Sequence, residues 1–83
     1  MDKILVEVYV PVLGTSWDMF IPQELKMHEI LEMMKKAIAD LSGGRFMVND
    51  NTAVCHREDG TILNINLSVS ELGLRNGSKL MLI

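Results

Sequence analysis

Apolar and other residues alternate over 3–10, "KILVEVYV". Ile4, Val6, Val8 and Val10 fall on one side, with Lys3, Leu5, Glu7 and Tyr9 on the other. Successive side chains of a strand point to opposite faces, so this period predicts a half-buried strand. "PVLGTS" turns the chain, because Pro11 donates no backbone hydrogen bond and Gly14 tolerates a positive φ. Alternation resumes in "WDMFI" (17–21), where Trp17, Met19 and Ile21 oppose Asp18 and Phe20, and Pro22 ends the run. Two alternating runs around a short glycine-containing link predict a hairpin.

The period then changes. Over about 25–41, Met27, Ile30, Leu31, Met34, Ile38 and Leu41 share one side at 100° per residue, and Glu29, Glu32, Lys36 and Asp40 lie opposite. This predicts an amphipathic helix with one buried stripe. Glu32 and Lys36 have the favourable i,i+4 order. Ser42-Gly43-Gly44 supplies the stop, since glycine readily takes the left-handed conformation past a last turn. The start has no comparable signal, because "PQELK" contains no Ser, Thr, Asp or Asn. "RFMVNDN" (45–51) reads as an extended connector or a short strand. Asp59-Gly60 between "TAVCH" and "TIL" predicts a second hairpin. Ser68 and Glu71 have capping-box spacing, which predicts one short helical turn. "SKLMLI" (78–83) is the closing strand, with Leu80 and Leu82 on one face and Lys79, Met81 and Ile83 on the other. The order is β-β-α-β-β-β with a very short fourth strand, two layers around one core in a single domain over 1–83.

Composition narrows the function classes. Nearly half the residues are apolar (48%), enough to fold one small core. The net charge is −3 and no basic stripe is present, which speaks against nucleic-acid binding. The apolar runs are far shorter than a membrane span, and the N-terminal run alternates as a strand does, unlike a signal peptide. A lone Cys55 suits a reducing compartment, and the chain is expected to be cytoplasmic and not inserted in a membrane. Seven methionines fit core filling first and adaptable partner contacts second.

Candidate chemistry is sparse. Cys55 and His56 are adjacent, but strand neighbours project to opposite faces, so a nucleophile–base pair needs a bulge; a buried thiol is the expectation. His28, His56 and Cys55 lack metal-ligand spacing, so no metal is expected. Glu29 and Glu32 share a solvated helical face that cannot separate two carboxyl pKa values. "GTS" and "NGS" lack the lysine and following helix of a phosphate loop, and Asn64-Ile65-Asn66 lacks the acids of a calcium loop. No catalytic residue, no cofactor and no enzyme activity are expected; an enzyme using Cys55 is the minor alternative, open to test by alkylation.

"GTSWDMFIP" followed by "LKMHEILEMM", with the closing "SVSELGLRNGSKLMLI", resembles the small YukD/EsaB-type proteins of the type VII (WXG100) secretion systems of Gram-positive bacteria. The resemblance implies an α+β, ubiquitin-like β-grasp fold, with a mixed sheet of order 2-1-5-3-4 packed on one amphipathic helix. Ubiquitin and the sulfur-carrier β-grasp proteins act through a flexible tail ending in Gly-Gly. Here the only Gly-Gly pair, Gly43-Gly44, stands at a helix end, and Ile83 is expected to lie in the sheet. A modifier or sulfur carrier is therefore the disfavoured alternative, and a non-catalytic adaptor the expected function. The implied partner is a protein of the secretion apparatus, such as a membrane subunit, or a second copy of the chain. The implied contact is the sheet face opposite the helix, where strand parity places Leu5, Val54, Met81 and Ile83, with Phe20 on the edge strand. If Val54 instead points inward, Cys55 points out and the patch shrinks.

Overall fold

A computed structural model describes residues 2–46, 49 and 51–83. The described elements are β1 (Lys3–Val10), β2 (Thr15–Pro22), α1 (Met27–Leu41), β3 (Val54–His56) and β4 (Lys79–Leu82). They form a four-stranded mixed sheet of order β2-β1-β4-β3. β1 pairs antiparallel with β2 and parallel with β4, and β4 pairs antiparallel with β3. The expected strand order survives with one change. The very short fourth strand is reduced to a single bridge, Cys55 to Ile62, beside β3. The turn before it is the expected one: the Gly60 N–H donates to the His56 carbonyl at 2.9 Å, with Gly60 at φ +74°. Of the 45–51 connector, residues 47, 48 and 50 lie outside the described residues.

One face of the sheet and one stripe of the helix make the core. Ile4, Val6, Val8 and Val10 of β1 are buried with Ile21, Val54, Leu80 and Leu82, against Met27, Ile30, Leu31, Met34 and Ile38 of α1. Burial of each such side chain contributes roughly 1.5–3 kcal/mol before conformational entropy is counted. Leu41 departs from the expected stripe and is 57% exposed. It stands in the last turn of α1, and Phe46, beyond the helix, joins the core after the chain has reversed. Ser42 Oγ accepts the Phe46 N–H at 3.1 Å and fixes that reversal. The expected Glu32–Lys36 pair is replaced by Glu32–Lys35, 3.3 Å apart at i,i+3.

The helix start, silent in the sequence, is closed from a distance. The Met27 N–H donates to the Leu67 carbonyl at 2.7 Å and the His28 N–H to the Ile65 carbonyl at 3.0 Å. Glu29 adds a local bond by accepting the Lys26 N–H at 3.1 Å. Orphan amides of a first turn must find acceptors, and here the chain at 65–67 supplies them. The Ser68–Glu71 box forms as expected. The Glu71 carboxylate accepts the Ser68 N–H at 2.8 Å, and Ser68 Oγ accepts the Glu71 N–H at 3.0 Å. These bonds hold the Glu71 carboxyl below the usual glutamate range. The structure there is a hydrogen-bonded turn over 69–73 with no regular helix. Among the described residues no helix is long and apolar enough to cross a membrane.

Candidate docking face

The helix covers one side of the sheet, so functional side chains must be sought on the other. Cross-strand register lays that outer face out in rows. Leu5 of β1 stands opposite Phe20 of β2, and Glu7 opposite Asp18. On the other side of β1, Glu7 neighbours Lys79 and Tyr9 neighbours Met81. Met81 in turn faces Cys55, which bridges to Ile62. Just past β4, Ile83 and Ala53 exchange two backbone hydrogen bonds, at 2.9 and 2.7 Å. Ile83 is therefore tied to the segment entering β3 by backbone pairing.

Val54 corrects the expected patch. It is 1% exposed and belongs to the core, on the helix side. The register Val54↔Leu82 explains this, since paired residues share a face and Leu82 is inward. Cys55 accordingly faces outward, yet it is fully buried as well. Its Sγ lies 3.5 Å from the Met81 carbonyl oxygen, and its strand neighbours Met81 and Ile62 flank it. Burial, and secondarily the negative charge of Asp59, push the Cys55 thiol above its ordinary pKa. An activated thiolate requires the opposite environment. His56, on the facing parity, is not its hydrogen-bond partner.

A row of charge divides what remains. Asp18, Glu7, Lys79 and Arg57 follow one another across the sheet, with the Arg57 N–H bound to the Lys79 carbonyl at 3.1 Å. Arg57 reaches across the intervening β4. Its Nη1 lies 2.6 Å from Glu7 Oε1, and its guanidinium carbon 4.2 Å from the centre of the Tyr9 ring. A planar guanidinium suits both contacts at once. The row separates Leu5 and Phe20 from Met81 and Ile83. Of the five residues expected to form one patch, four face outward, and they stand in two pairs.

The larger surface is centred on Met81. Half-buried Tyr9, Met81 and Ala53 adjoin exposed Ile83 (53%) and Ile62 (63%), over the buried Cys55. Tyr9 was available from the parity of the first strand. Ile62 required the register of the second hairpin, which Asp59-Gly60 signals but does not fix. The smaller surface is the Leu5–Phe20 pair, with Phe20 66% exposed. Near the sheet end, His56, Arg57, Arg75, Asn76 and Lys79 line an open depression of about 720 Å³.

No family model matches the chain, and no curated protein does. Solved structures do share its fold. The EccD5 ubiquitin-like domain from Mycobacterium xenopi is 18% identical over 100% of this chain and 94% of its own, with a TM-score of 0.74. The ubiquitin-like domain of the Mycobacterium tuberculosis type VII secretion system protein EccD1 is also 18% identical, over 100% and 99%, at 0.68. A chain of the toluene 4-monooxygenase HD complex with the inhibitor 4-bromobenzoate is 11% identical, over 98% and 96%, at 0.77. At such identities the likeness is one of fold, and the chain has the ubiquitin-like β-grasp fold. One fold carried in such different contexts leaves function to the surface.

Proposed function

We propose that this protein is a non-catalytic adaptor of a type VII secretion system, of the YukD/EsaB type, acting at the cytosolic side of the apparatus by docking its outer sheet face on another component. The observation that carries this reading is the surface around Met81, where Tyr9, Ile62, Ile83 and Ala53 gather over a buried thiol. Clustered apolar side chains on a sheet face suit partner contact, and a methionine at the centre adapts to the partner's shape. The ubiquitin-like domains of EccD proteins, with the same fold over the whole chain, support the secretion context. The state of Cys55 supports a role without catalysis. Its thiol is covered and its pKa raised, and the adjacent imidazole lies on the opposite parity.

The direct test is Met81→Asp in the full chain. Met81 is half-buried on the outer face, so the substitution leaves the core intact and places a charge in the contact. Each large side chain buried in such a contact contributes roughly 1.5–3 kcal/mol before association costs, so loss of one weakens binding about tenfold or more. The expected result is an unchanged melting curve with diminished co-purification of the secretion membrane subunits encoded in the same genome. Equal recovery with both proteins would remove the face from consideration.

A further inference from the structure

The outer edge of β2 presents a second surface, independent of the Met81 face. Backbone polarity along β2 can be read from its neighbours. The Glu7 N–H donates to the Ser78 carbonyl, and Asn76 Oδ1 accepts the Leu5 N–H, so the odd residues of β1 point their amides toward β4. The even residues of β1 therefore serve β2, in register with Thr15, Trp17, Met19 and Ile21. The Gln23 N–H bound to the Asp2 carbonyl at 3.0 Å continues the same phase. It follows that Ser16, Asp18 and Phe20 direct their amides and carbonyls away from the sheet. Pro22 has the same phase, where its missing N–H costs nothing. Among the described residues the outward groups of Ser16, Asp18 and Phe20 have no backbone partner.

Edge strands are ordinarily guarded by shortness, lysine, proline or a bulge. β2 is eight residues long, in unbroken register with β1, free of Lys and Arg, with its one proline at the end. Its single charge is Asp18, which stands directly opposite Glu7. Like charges opposed across a ladder destabilise it. Arg57 neutralises Glu7, while Asp18 has no cationic partner among the described residues. On the inner face Trp17 and Met19 are only partly covered.

We propose that β2 accepts an extended segment of a partner protein as a fifth strand, and that it selects a basic residue flanked by apolar ones. The basic side chain stands opposite Asp18 and extends the charged row by one column. Its two chain neighbours point to the helix side and cover Trp17 and Met19, as side-chain alternation requires. A second copy of this chain fits poorly. Two-fold antiparallel pairing centred on Asp18 opposes two carboxylates, centring on Met19 sets Asp18 against Phe20, and centring on Phe20 sets it against Pro22, which has no N–H to give.

The test uses the full chain and blocked heptapeptides by amide NMR: Thr-Thr-Val-Arg-Val-Thr-Thr, and the same peptide with Glu in place of Arg. The arginine peptide is expected to shift the Ser16, Asp18 and Phe20 amides and slow their hydrogen exchange. The glutamate peptide is expected to bind about tenfold more weakly, as attraction to Asp18 across the strands is replaced by repulsion. Asp18→Lys removes the contact with Glu7 as a like-charge pair, so it should fold, and it should invert the peptide preference. Equal binding of the two peptides, binding of neither, shifts confined to Tyr9 and Met81, or concentration-dependent shifts over 16–20 without peptide would each overturn the proposal.

Discussion

Val54→Ala separates an inward Val54 from the outward one that strand parity alone would give. Val54 is 1% exposed among Leu80, Leu82 and the helix stripe. Truncation to alanine removes two methyl groups, worth about 0.8 kcal/mol each in transfer, and the residual cavity brings the loss to about 2–3 kcal/mol. A domain of this length has a total stability of about 4–12 kcal/mol, so the loss is a large fraction of it. The single tryptophan, Trp17, packs against the core and reports unfolding by fluorescence. With a urea slope of about 1 kcal/mol/M, the midpoint should fall by about 2–3 M. Val54→Asp places a carboxylate in the same space and should leave little folded protein, since burial of an unpaired charge costs several kcal/mol or more, roughly the whole stability. If Val54→Ala lowers the midpoint by less than about 0.5 M and Val54→Asp remains folded, Val54 faces solvent and its pairing with Leu82 is wrong.

Three further outcomes are expected. Cys55 should react slowly with iodoacetamide at pH 7–8, at a rate that rises with urea in step with unfolding, because burial raises its pKa and bars the reagent; a rapid single-site mass increase in native protein would contradict this. Arg57→Ala should cost about 1 kcal/mol at low salt, from a partly exposed ion pair and the contact over Tyr9, and less in 1 M NaCl; a salt-independent loss would point to packing alone. Glu71→Gln should lower the melting temperature at neutral pH. The folded carboxyl of Glu71 titrates below its unfolded value, so its stabilisation is present above the unfolded pKa and is lost as pH falls through the folded one. The wild-type and Glu71→Gln curves should therefore converge in acid, and a constant gap down to pH 2.5 would refute the assignment.

Much of this molecule is local in origin. The two-residue period over 3–10 selected Ile4, Val6, Val8 and Val10 for the core, and those four are buried. The 3.6-residue period of α1 selected its buried stripe apart from Leu41, the glycine pair selected its stop, and the Ser-x-x-Glu spacing selected the separate capped turn at 68–71. These features follow from backbone geometry and side-chain chemistry within a few residues, so no distant partner is needed to specify them. The tertiary structure decided the rest. The start of α1 depends on carbonyls at Ile65 and Leu67, about forty positions away, which no local signal could announce. The facing of Val54 and Cys55 depends on which residues of β4 they oppose, because a slip of one exchanges the two sides of a strand. A three-residue strand whose members Val54 and Cys55 are both buried offers no alternation from which to choose. The charged row, too, exists only once Asp18, Glu7, Lys79 and Arg57 are brought side by side from four separate segments. That convergence divides the outer face, and long-range pairing rather than any run of residues sets how its apolar side chains are grouped.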